Sequence, residues 1–225
     1  MIYLKEELKN MNKNYKKITK KDAKKAILIL KDYYQDAKCG LDYSTPFSLV
    51  VALILAAQCT DARVNLITPI FFNKYKTIED IANANINEIE NIIKPCGFYK
   101  NKAKSIKNTA ILLKNDFNLK VPNTMEDLTK LPGIGRKSAN IILQECFGKT
   151  VGIAVDTHVT RISRKIGLTD KNTQSEIEQD LMKKVDKQYW STINHIFVWH
   201  GRKICIARRP NCNNCPIFSL CKKND

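Results

Sequence analysis

The stretch that decides the fold is Leu131-Pro132-Gly133-Ile134-Gly135-Arg136-Lys137-Ser138-Ala139. It places one apolar residue between two glycines and continues directly into two cations. Glycine adopts a positive φ and lets another chain approach closely, so we expect Gly133 and Gly135 to shape a tight turn. Ile134 would then pack between the helices on either side. The pattern is typical of a helix–hairpin–helix.

The helix that follows this turn begins at about Arg136, so its N-terminus faces the turn. Free N–H groups and the positive end of the helix dipole suit a phosphate group. Such an element holds one phosphodiester strand without reading the bases. An ordinary connection between two helices, with glycines for steric reasons, is the alternative. The residues predicted to contact DNA in this turn are Gly133, Ile134, Gly135 and Arg136.

Lys137 and Asp156 are the candidate catalytic residues. Lys137 lies in the first helical turn, where the dipole disfavours a cation and so favours the neutral, nucleophilic amine. A phosphate contact is its alternative role. Asp156 precedes another helix and is expected to cap it. Together with a nucleophilic amine it is also a candidate base or electrostatic partner. We expect the neighbouring His158 to be structural.

Four cysteines near the end of the sequence have the spacing C-x6-C-x2-C-x5-C. They are Cys205, Cys212, Cys215 and Cys221. Soft thiolates select zinc or an iron–sulfur cluster. Zinc sites usually have paired CxxC or His-containing spacings, so this pattern favours a [4Fe–4S] cluster. Two disulfides are a weaker alternative, since no secretory segment is expected. The other cysteines are scattered and are expected to be reduced, buried thiols: Cys39, Cys59, Cys96 and Cys146.

Charge and hydropathy narrow the class of protein. The 225 residues include 38 Lys and Arg against 22 Asp and Glu, a formal net charge of +16. This surplus predicts a polyanionic partner such as nucleic acid, with a solvated lysine-rich surface as the alternative. The longest apolar run, 47–57, is too short to span a bilayer, and residues 1–21 lack the apolar core of a signal peptide. We therefore expect a cytoplasmic, DNA-associated protein with no membrane partner.

Apolar residues recur at intervals of three and four along most of the chain, and strand signals are scarce. The sequence therefore predicts an all-α protein. We expect helices over residues 20–36, 47–58, 61–75, 78–84, 86–93, 101–115, 125–130, 136–146, 157–166, 174–184 and 189–202. The turn at 93–99 has the same order of elements as 131–139, a helix, a Pro/Gly turn and a second helix. We interpret it as a structural echo that has lost most of its glycines.

Taken together, these segments resemble the endonuclease III family of bifunctional DNA glycosylases and AP lyases for oxidised pyrimidines. The matching segments are LILAAQCTD (53–61), CGFYKNKA (96–103), LPGIGRKSANIIL (131–143), IAVDTHV (153–159), HGRKICIARRPNC (200–212) and the four cysteines. The resemblance implies an all-α, two-lobed helix–hairpin–helix DNA glycosylase fold. It implies a six-helix barrel at 39–150 and a discontinuous [4Fe–4S] cluster domain formed by 1–38 and 151–225.

The resemblance also implies roles for residues outside the hairpin. Gln58 matches the residue that fills the gap left by an extruded base. Phe98 matches a wedge against the opposite strand, at a position often aliphatic in relatives. Arg208 and Arg209 lie in the loop between the first two cluster cysteines, which contacts phosphates in the family. The alternatives are the polar end of a core helix for Gln58 and a half-buried turn aromatic for Phe98.

The chemistry implied by the resemblance begins when a damaged nucleotide is flipped out of duplex DNA. Lys137 would attack the sugar C1′, expel the base and form a Schiff base, and β-elimination would break the strand. Asp156 would stabilise the cationic sugar. The expected partner is damaged double-stranded DNA, and a monomer is expected. The rival interpretations are an adenine or thymine mismatch glycosylase, which tends to lack this lysine, and a non-catalytic cluster-bearing DNA-binding module.

Overall fold

The computed structural model describes residues 17–222, and every regular element in this part of the chain is helical, as predicted. The α-helices are α1 (Lys20–Tyr33), α2 (Pro46–Ala56), α3 (Asp61–Lys74), α4 (Ile78–Asn83), α5 (Ile86–Ile93), α6 (Tyr99–Asp116), α7 (Met125–Lys130), α8 (Arg136–Phe147), α9 (Thr157–Lys165), α10 (Gln174–Lys184) and α11 (Trp190–Lys203). Short 3₁₀ helices occupy Lys94–Cys96, Lys187–Tyr189, Cys212–Asn214 and Phe218–Leu220. Within 17–222, none of the helices has both the length and the apolar character needed to cross a bilayer. Most of the segment examined for a signal peptide lies outside the described residues.

Most helices begin at a residue whose side chain accepts a hydrogen bond from a first-turn N–H. These caps are Thr19, Thr45, Thr60, Thr77, Asn85, Thr124, Asp156 and Thr173. Each cap satisfies a donor that has no partner inside the helix, and is worth about 1 kcal/mol. The helix after the hairpin differs, because the residue that precedes α8 is Gly135, which provides no side-chain cap.

The described chain forms two compact units. The hairpin unit is Cys39–Val151, which contains α2 to α8. The cysteine unit comprises the described parts of Met1–Lys38 and Gly152–Asp225, so it contains α1 and α9 to α11. Helix α1 therefore packs with α11, which lies near the other end of the chain.

The hairpin unit is built around α2. This helix is buried at every position from Phe47 to Leu55, and α3, α6 and α8 pack against it. A helix covered on all sides needs no polar face, which explains its continuous apolar run. Residues 47–55 of the longest apolar run therefore form a buried helix. The helix ends at Ala56, however, so Gln58 lies in the loop beyond it instead of in its last turn.

The cysteine unit has its own apolar core. Side chains from α1, α9, α10 and α11 meet there, including Leu30, Ile162, Leu181 and Phe197. Three of the C-terminal cysteines, Cys205, Cys215 and Cys221, pack against this core. The C-terminal segment, which has little regular structure, is therefore held in part by its sulfur-bearing side chains.

Candidate nucleic-acid interface and metal centre

The hairpin turn is pressed onto the helices beneath it. Ile134 is buried, with 4% of its surface exposed. Gly133 has a φ of +85°, and a Cβ there would lie 3.1 Å from the Cβ of Ser105 and 3.2 Å from the Cγ1 of Ile54. Both the positive φ and the crowding therefore favour glycine at this position. The Thr109 hydroxyl adds a hydrogen bond of 3.1 Å to the Pro132 carbonyl, which ties the turn to α6.

The second glycine of the hairpin behaves differently from the prediction. Gly135 has a φ of −94° and a ψ of 177°, an extended conformation open to any residue. The expectation of a positive φ at both glycines is therefore wrong for Gly135, because the chain is already extended where it enters α8. A Cβ at Gly135 would meet no protein atom within 4 Å. The missing side chain leaves the backbone accessible from outside.

The N-terminus of α8 combines features that suit a phosphate. Its first turn has no side-chain cap, so backbone N–H groups there are available to an external acceptor. Arg136 is exposed, and Lys137, the second residue of the helix, is half-buried. Backbone donors, the helix dipole and two cations therefore lie within one helical turn.

Asp156 is the N-cap of α9, as predicted. Its Oδ1 accepts a hydrogen bond of 2.8 Å from the Val159 N–H, which fixes the direction of the half-buried carboxylate. Asp156 belongs to the cysteine unit, whereas Lys137 belongs to the hairpin unit. The neighbouring His158 contacts the Arg161 guanidinium at 3.2 Å, in agreement with a structural role.

Gln58 and Phe98 share a backbone conformation that is unusual for residues other than glycine. Their φ angles are +52° and +47°. Such left-handed conformations cost about 1–3 kcal/mol each. Gln58 is exposed, and Phe98 is 64% exposed. The alternative of a half-buried aromatic is therefore wrong for Phe98, whereas Gln58 is a polar residue just beyond the end of the core helix α2.

Lys102 is a residue whose role the sequence did not reveal. It is only 5% exposed, and its Nζ donates hydrogen bonds of 2.8 Å to the Leu55 carbonyl and 2.9 Å to the Cys96 carbonyl. Burial lowers the pKa of its amine. One signal was available: Lys102 lies four residues before Ile106 and so falls on the buried face of α6.

The scattered cysteines are also closer together than the sequence suggested. Burial raises the pKa of the Cys96 thiol to about 11, and the nearby Cys59 contributes through its charge and a side-chain hydrogen bond. These thiols lie in the two segments that Lys102 joins. Gly133 contacts Ile54 at the same end of α2. The hairpin, the Gln58 loop and the Phe98 turn are thus anchored on the same pair of helices, α2 and α6.

The four C-terminal cysteines line one small cavity in the cysteine unit, together with His200. The cysteines are Cys205, Cys212, Cys215 and Cys221. Burial raises the pKa of the Cys215 thiol, and the charges of the other three thiols act in the same direction. In residues 17–222, no three His, Cys, Asp or Glu side chains are arranged around a point suited to a single metal ion. Four soft donors around a shared cavity do fit the chemistry of an iron–sulfur cluster.

His200 supports this cavity from the side of the core. Burial lowers the pKa of its imidazole to about 4, so the ring is neutral at neutral pH. Its Nδ1 lies 3.1 Å from the Tyr34 hydroxyl, and its Nε2 lies 3.7 Å from the Cys215 sulfur. A neutral ring has one donor and one acceptor, so both contacts are satisfied when Tyr34 donates to Nδ1 and Nε2 donates to sulfur. His200 therefore connects α1 to a candidate ligand.

Arg208 and Arg209 lie in the loop between Cys205 and Cys212, and both are exposed. The loop is closed at its base by a 2.9 Å hydrogen bond from the Asn211 N–H to the Ile204 carbonyl. Arg161 donates a 2.8 Å hydrogen bond to the Cys205 carbonyl. The two arginines therefore extend from a loop whose ends are fixed.

Most of the chain is similar to known DNA repair proteins. A family model described as HhH-GPD superfamily base excision DNA repair protein matches residues 51–187. The endonuclease III of Synechocystis sp. is 44% identical over 202 residues, which cover 90% of this chain and 92% of the relative. The endonuclease III of Bacillus subtilis is 44% identical over 193 residues, which cover 85% and 88% of the two chains.

Solved structures show the same similarity. A trapped endonuclease III–DNA covalent intermediate superposes with a TM-score of 0.87 at 38% identity and covers 91% of this chain and 96% of its own. A thermostable thymine-DNA glycosylase superposes with a TM-score of 0.77 at 25% identity and covers 89% of this chain and 95% of its own. The predicted all-α glycosylase fold is confirmed.

Proposed function

The chain belongs to the endonuclease III family of the HhH-GPD superfamily and is a base excision repair DNA glycosylase and AP lyase, and from this premise we propose its substrate and the residues that act. We propose that it removes oxidised and ring-saturated pyrimidines from duplex DNA and then cleaves the strand at the abasic site. It acts as a monomer on damaged double-stranded DNA. The position of Lys137, in the first turn of the helix after the hairpin, is the observation that carries this proposal.

The hairpin unit supplies two kinds of DNA contact. The hairpin backbone and Arg136 bind phosphates, because they offer donors and positive charge with no group that reads a base. Gln58 and Phe98 are exposed and project from strained turns, so they enter the duplex when the damaged nucleotide leaves it. Unstacking costs a few kcal/mol, and it costs least for a base that stacks poorly, as ring-saturated pyrimidines do.

Lys137 is the proposed nucleophile. Its neutral amine forms a bond to C1′, and the damaged base leaves with the electrons of the glycosidic bond. Ring opening then gives a Schiff base between Nζ and C1′. The iminium acidifies the C2′ proton, and loss of that proton expels the 3′ phosphate by β-elimination. Only an amine forms this iminium, which is why a lysine suits both steps.

Asp156 is the proposed carboxylate of the reaction. Its cap hydrogen bond to the Val159 N–H fixes one oxygen and thereby the direction of the group. A carboxylate held in this way stabilises positive charge that develops on the sugar and assists proton transfer. The exposed Arg208 and Arg209 add phosphate contacts from the cysteine unit.

A [4Fe–4S] cluster is the proposed cofactor, held by Cys205, Cys212, Cys215 and Cys221. When bound, the cluster links four points of a segment that has little core of its own, and it contributes no step to base removal. His200 orients Cys215 by donating to its sulfur. Fixing this segment also fixes the loop that carries the two arginines.

Replacing Lys137 by Gln tests the proposed function. We expect borohydride trapping to a duplex with an abasic site to fall by about 10³-fold or more, because the amine that forms the Schiff base is gone. DNA binding, measured by fluorescence anisotropy, should remain. Lys104→Gln, an exposed position in α6, is the matched control and should trap like the wild type. Undiminished trapping by Lys137→Gln would reject the assignment.

Replacing Cys212 by Ser tests the cluster. The variant should lose visible iron–sulfur absorption and unfold at a temperature lower by at least about 5 °C, since a folding constraint is removed. Cys146→Ser, outside the cavity, should keep its absorption. A colourless wild-type protein that contains zinc would overturn the choice of cofactor.

A panel of duplexes tests the proposed lesion class. Thymine glycol and dihydrouracil should be excised, whereas 8-oxoguanine, T·G and A·8-oxoguanine pairs should not. Preferential excision from a mispair would favour the mismatch-glycosylase alternative. Binding without strand cleavage on any substrate would favour the non-catalytic module.

A further inference from the structure

One buried amine joins the two segments that carry Gln58 and Phe98. The Nζ of Lys102 donates to the Leu55 carbonyl at 2.8 Å and to the Cys96 carbonyl at 2.9 Å. Leu55 lies three residues before Gln58, and Cys96 lies two residues before Phe98. A single side chain therefore fixes one backbone relative to the other.

The buried position of the Lys102 amine disfavours its charged form. Burial lowers the pKa of Lys102, while the charges of Cys59 and Cys96 act in the opposite direction. The first turn of α6 adds the unfavourable positive end of a helix dipole. The carbonyl at the C-terminal end of α2 compensates in part, because that end favours a cation. In a continuing helix the Cys59 N–H would bond the Leu55 carbonyl, but here it bonds the Ala56 carbonyl. The Lys102 amine therefore supplies the partner that the Leu55 carbonyl lacks at the end of α2.

Both of the joined segments contain a non-glycine residue with a strained backbone within three residues of the anchored carbonyl. Gln58 and Phe98 hold φ angles of +52° and +47°, and Gly97 between Cys96 and Phe98 holds +68°. Non-glycine residues keep such angles only where their surroundings enforce them. Lys102 is a restraint that reaches both segments at once.

We propose that Lys102 is a positioning residue for base excision, which sets the spacing between the Gln58 loop and the Phe98 turn so that both side chains enter the duplex together. The inference rests on the proposed function, in which Gln58 fills the gap left by the extruded base and Phe98 wedges against the opposite strand. Lys102 acts through the two backbones. Its loss therefore slows reactions that require opening of a duplex and spares reactions on a sugar that is already accessible.

Lys102→Met is the principal test, because methionine keeps the apolar stem and removes the donors. We expect excision of thymine glycol from a duplex to slow by about tenfold or more, since small misplacements of positioning groups have effects of this size. Borohydride trapping to a single-stranded abasic oligonucleotide should stay within about a factor of two, because no interaction used there is lost. Lys104→Met, exposed on the same helix, should leave both rates unchanged.

A double-mutant cycle asks whether Lys102 acts through the two loops. In a protein that already carries Gln58→Ala and Phe98→Ala, Lys102→Met should change the duplex rate by less than about twofold, because residues that act as a unit are not additive. An undiminished tenfold effect in that background would overturn the inference. So would equal losses on duplex and single-stranded substrates, or no loss on either.

Base opening can also be followed without chemistry. In the Lys137→Gln protein, 2-aminopurine next to the lesion should brighten on binding, and the added Lys102→Met change should suppress that signal. An equal rise in 2-aminopurine fluorescence with both proteins would overturn the role of Lys102. A wild-type protein that opens DNA but forms no borohydride-trapped complex would reject the proposed function alone. If Lys102→Met does not fold, Lys102→Arg replaces it in the test, because arginine keeps the charge and the donors but has a different reach. The activity that Lys102→Arg loses must again be confined to duplex substrates.

Discussion

The turn at 94–98 and the turn at 132–135 share a proline, a glycine with positive φ and a helix that follows, but they treat their apolar residue in opposite ways. Ile134 is 4% exposed, and Phe98 is 64% exposed. The first turn therefore presents a side chain to its surroundings, and the second presents its backbone.

The difference comes from what lies beneath each turn. Around Gly133, a Cβ would crowd Ser105 at 3.1 Å and Ile54 at 3.2 Å, because the turn is pressed onto the core. Around Gly97 a Cβ would meet no atom within 4 Å. The interpretation of the 93–99 turn as a structural echo of the hairpin holds only for the order of its elements. The neighbouring helices decide whether each turn exposes a side chain or its backbone.

Truncating the two apolar residues should give the largest contrast. Ile134→Ala should lower the free energy of unfolding by about 2–5 kcal/mol, because it leaves a cavity under the hairpin. Phe98→Ala should change stability by no more than about 0.5 kcal/mol, since its side chain is exposed. Urea unfolding and duplex excision rates measure both effects. Excision should fall for folded Phe98→Ala, and a loss of stability equal to that of Ile134→Ala would contradict this view of the two turns.

Adding a methyl group to each glycine should sharpen the contrast at a smaller magnitude. Gly97→Ala and Gly133→Ala each incur about 1–3 kcal/mol of backbone strain. Gly133→Ala incurs about 1–3 kcal/mol more, because its Cβ crowds Ser105 and Ile54. Thermal unfolding of the two variants in parallel measures the difference. Equal destabilisation of the two variants would mean that Ser105 and Ile54 move aside for the added methyl group.

The smallest effect should appear in salt dependence. Arg136→Gln should reduce the slope of log affinity against log salt by about one, because one phosphate contact is lost. Phe98→Ala should leave that slope unchanged, since its contact is apolar. Anisotropy titrations on undamaged duplex at several salt concentrations separate the two. An unchanged slope for Arg136→Gln would remove this residue from the phosphate-binding surface.

Helix positions could be predicted because their signals are local. Caps such as Thr19 and Thr124 and apolar intervals depend only on residues a few positions apart, and the observed ends lie close to the predicted ones. The hairpin turn was recognisable for the same reason. Gly135 was misjudged because a glycine in sequence does not reveal which φ the chain adopts.

By itself, the sequence determined the all-helical class, the hairpin, the candidate nucleophile and the spacing of the four thiols, because each is written in residues that are neighbours along the chain. The tertiary structure alone decided that Phe98 is exposed, that Ile134 is buried and that Lys102 joins two loops. The Lys102 amine bonds a carbonyl 47 residues away. No local pattern encodes such a contact, because it exists only once α2 and α6 have packed together.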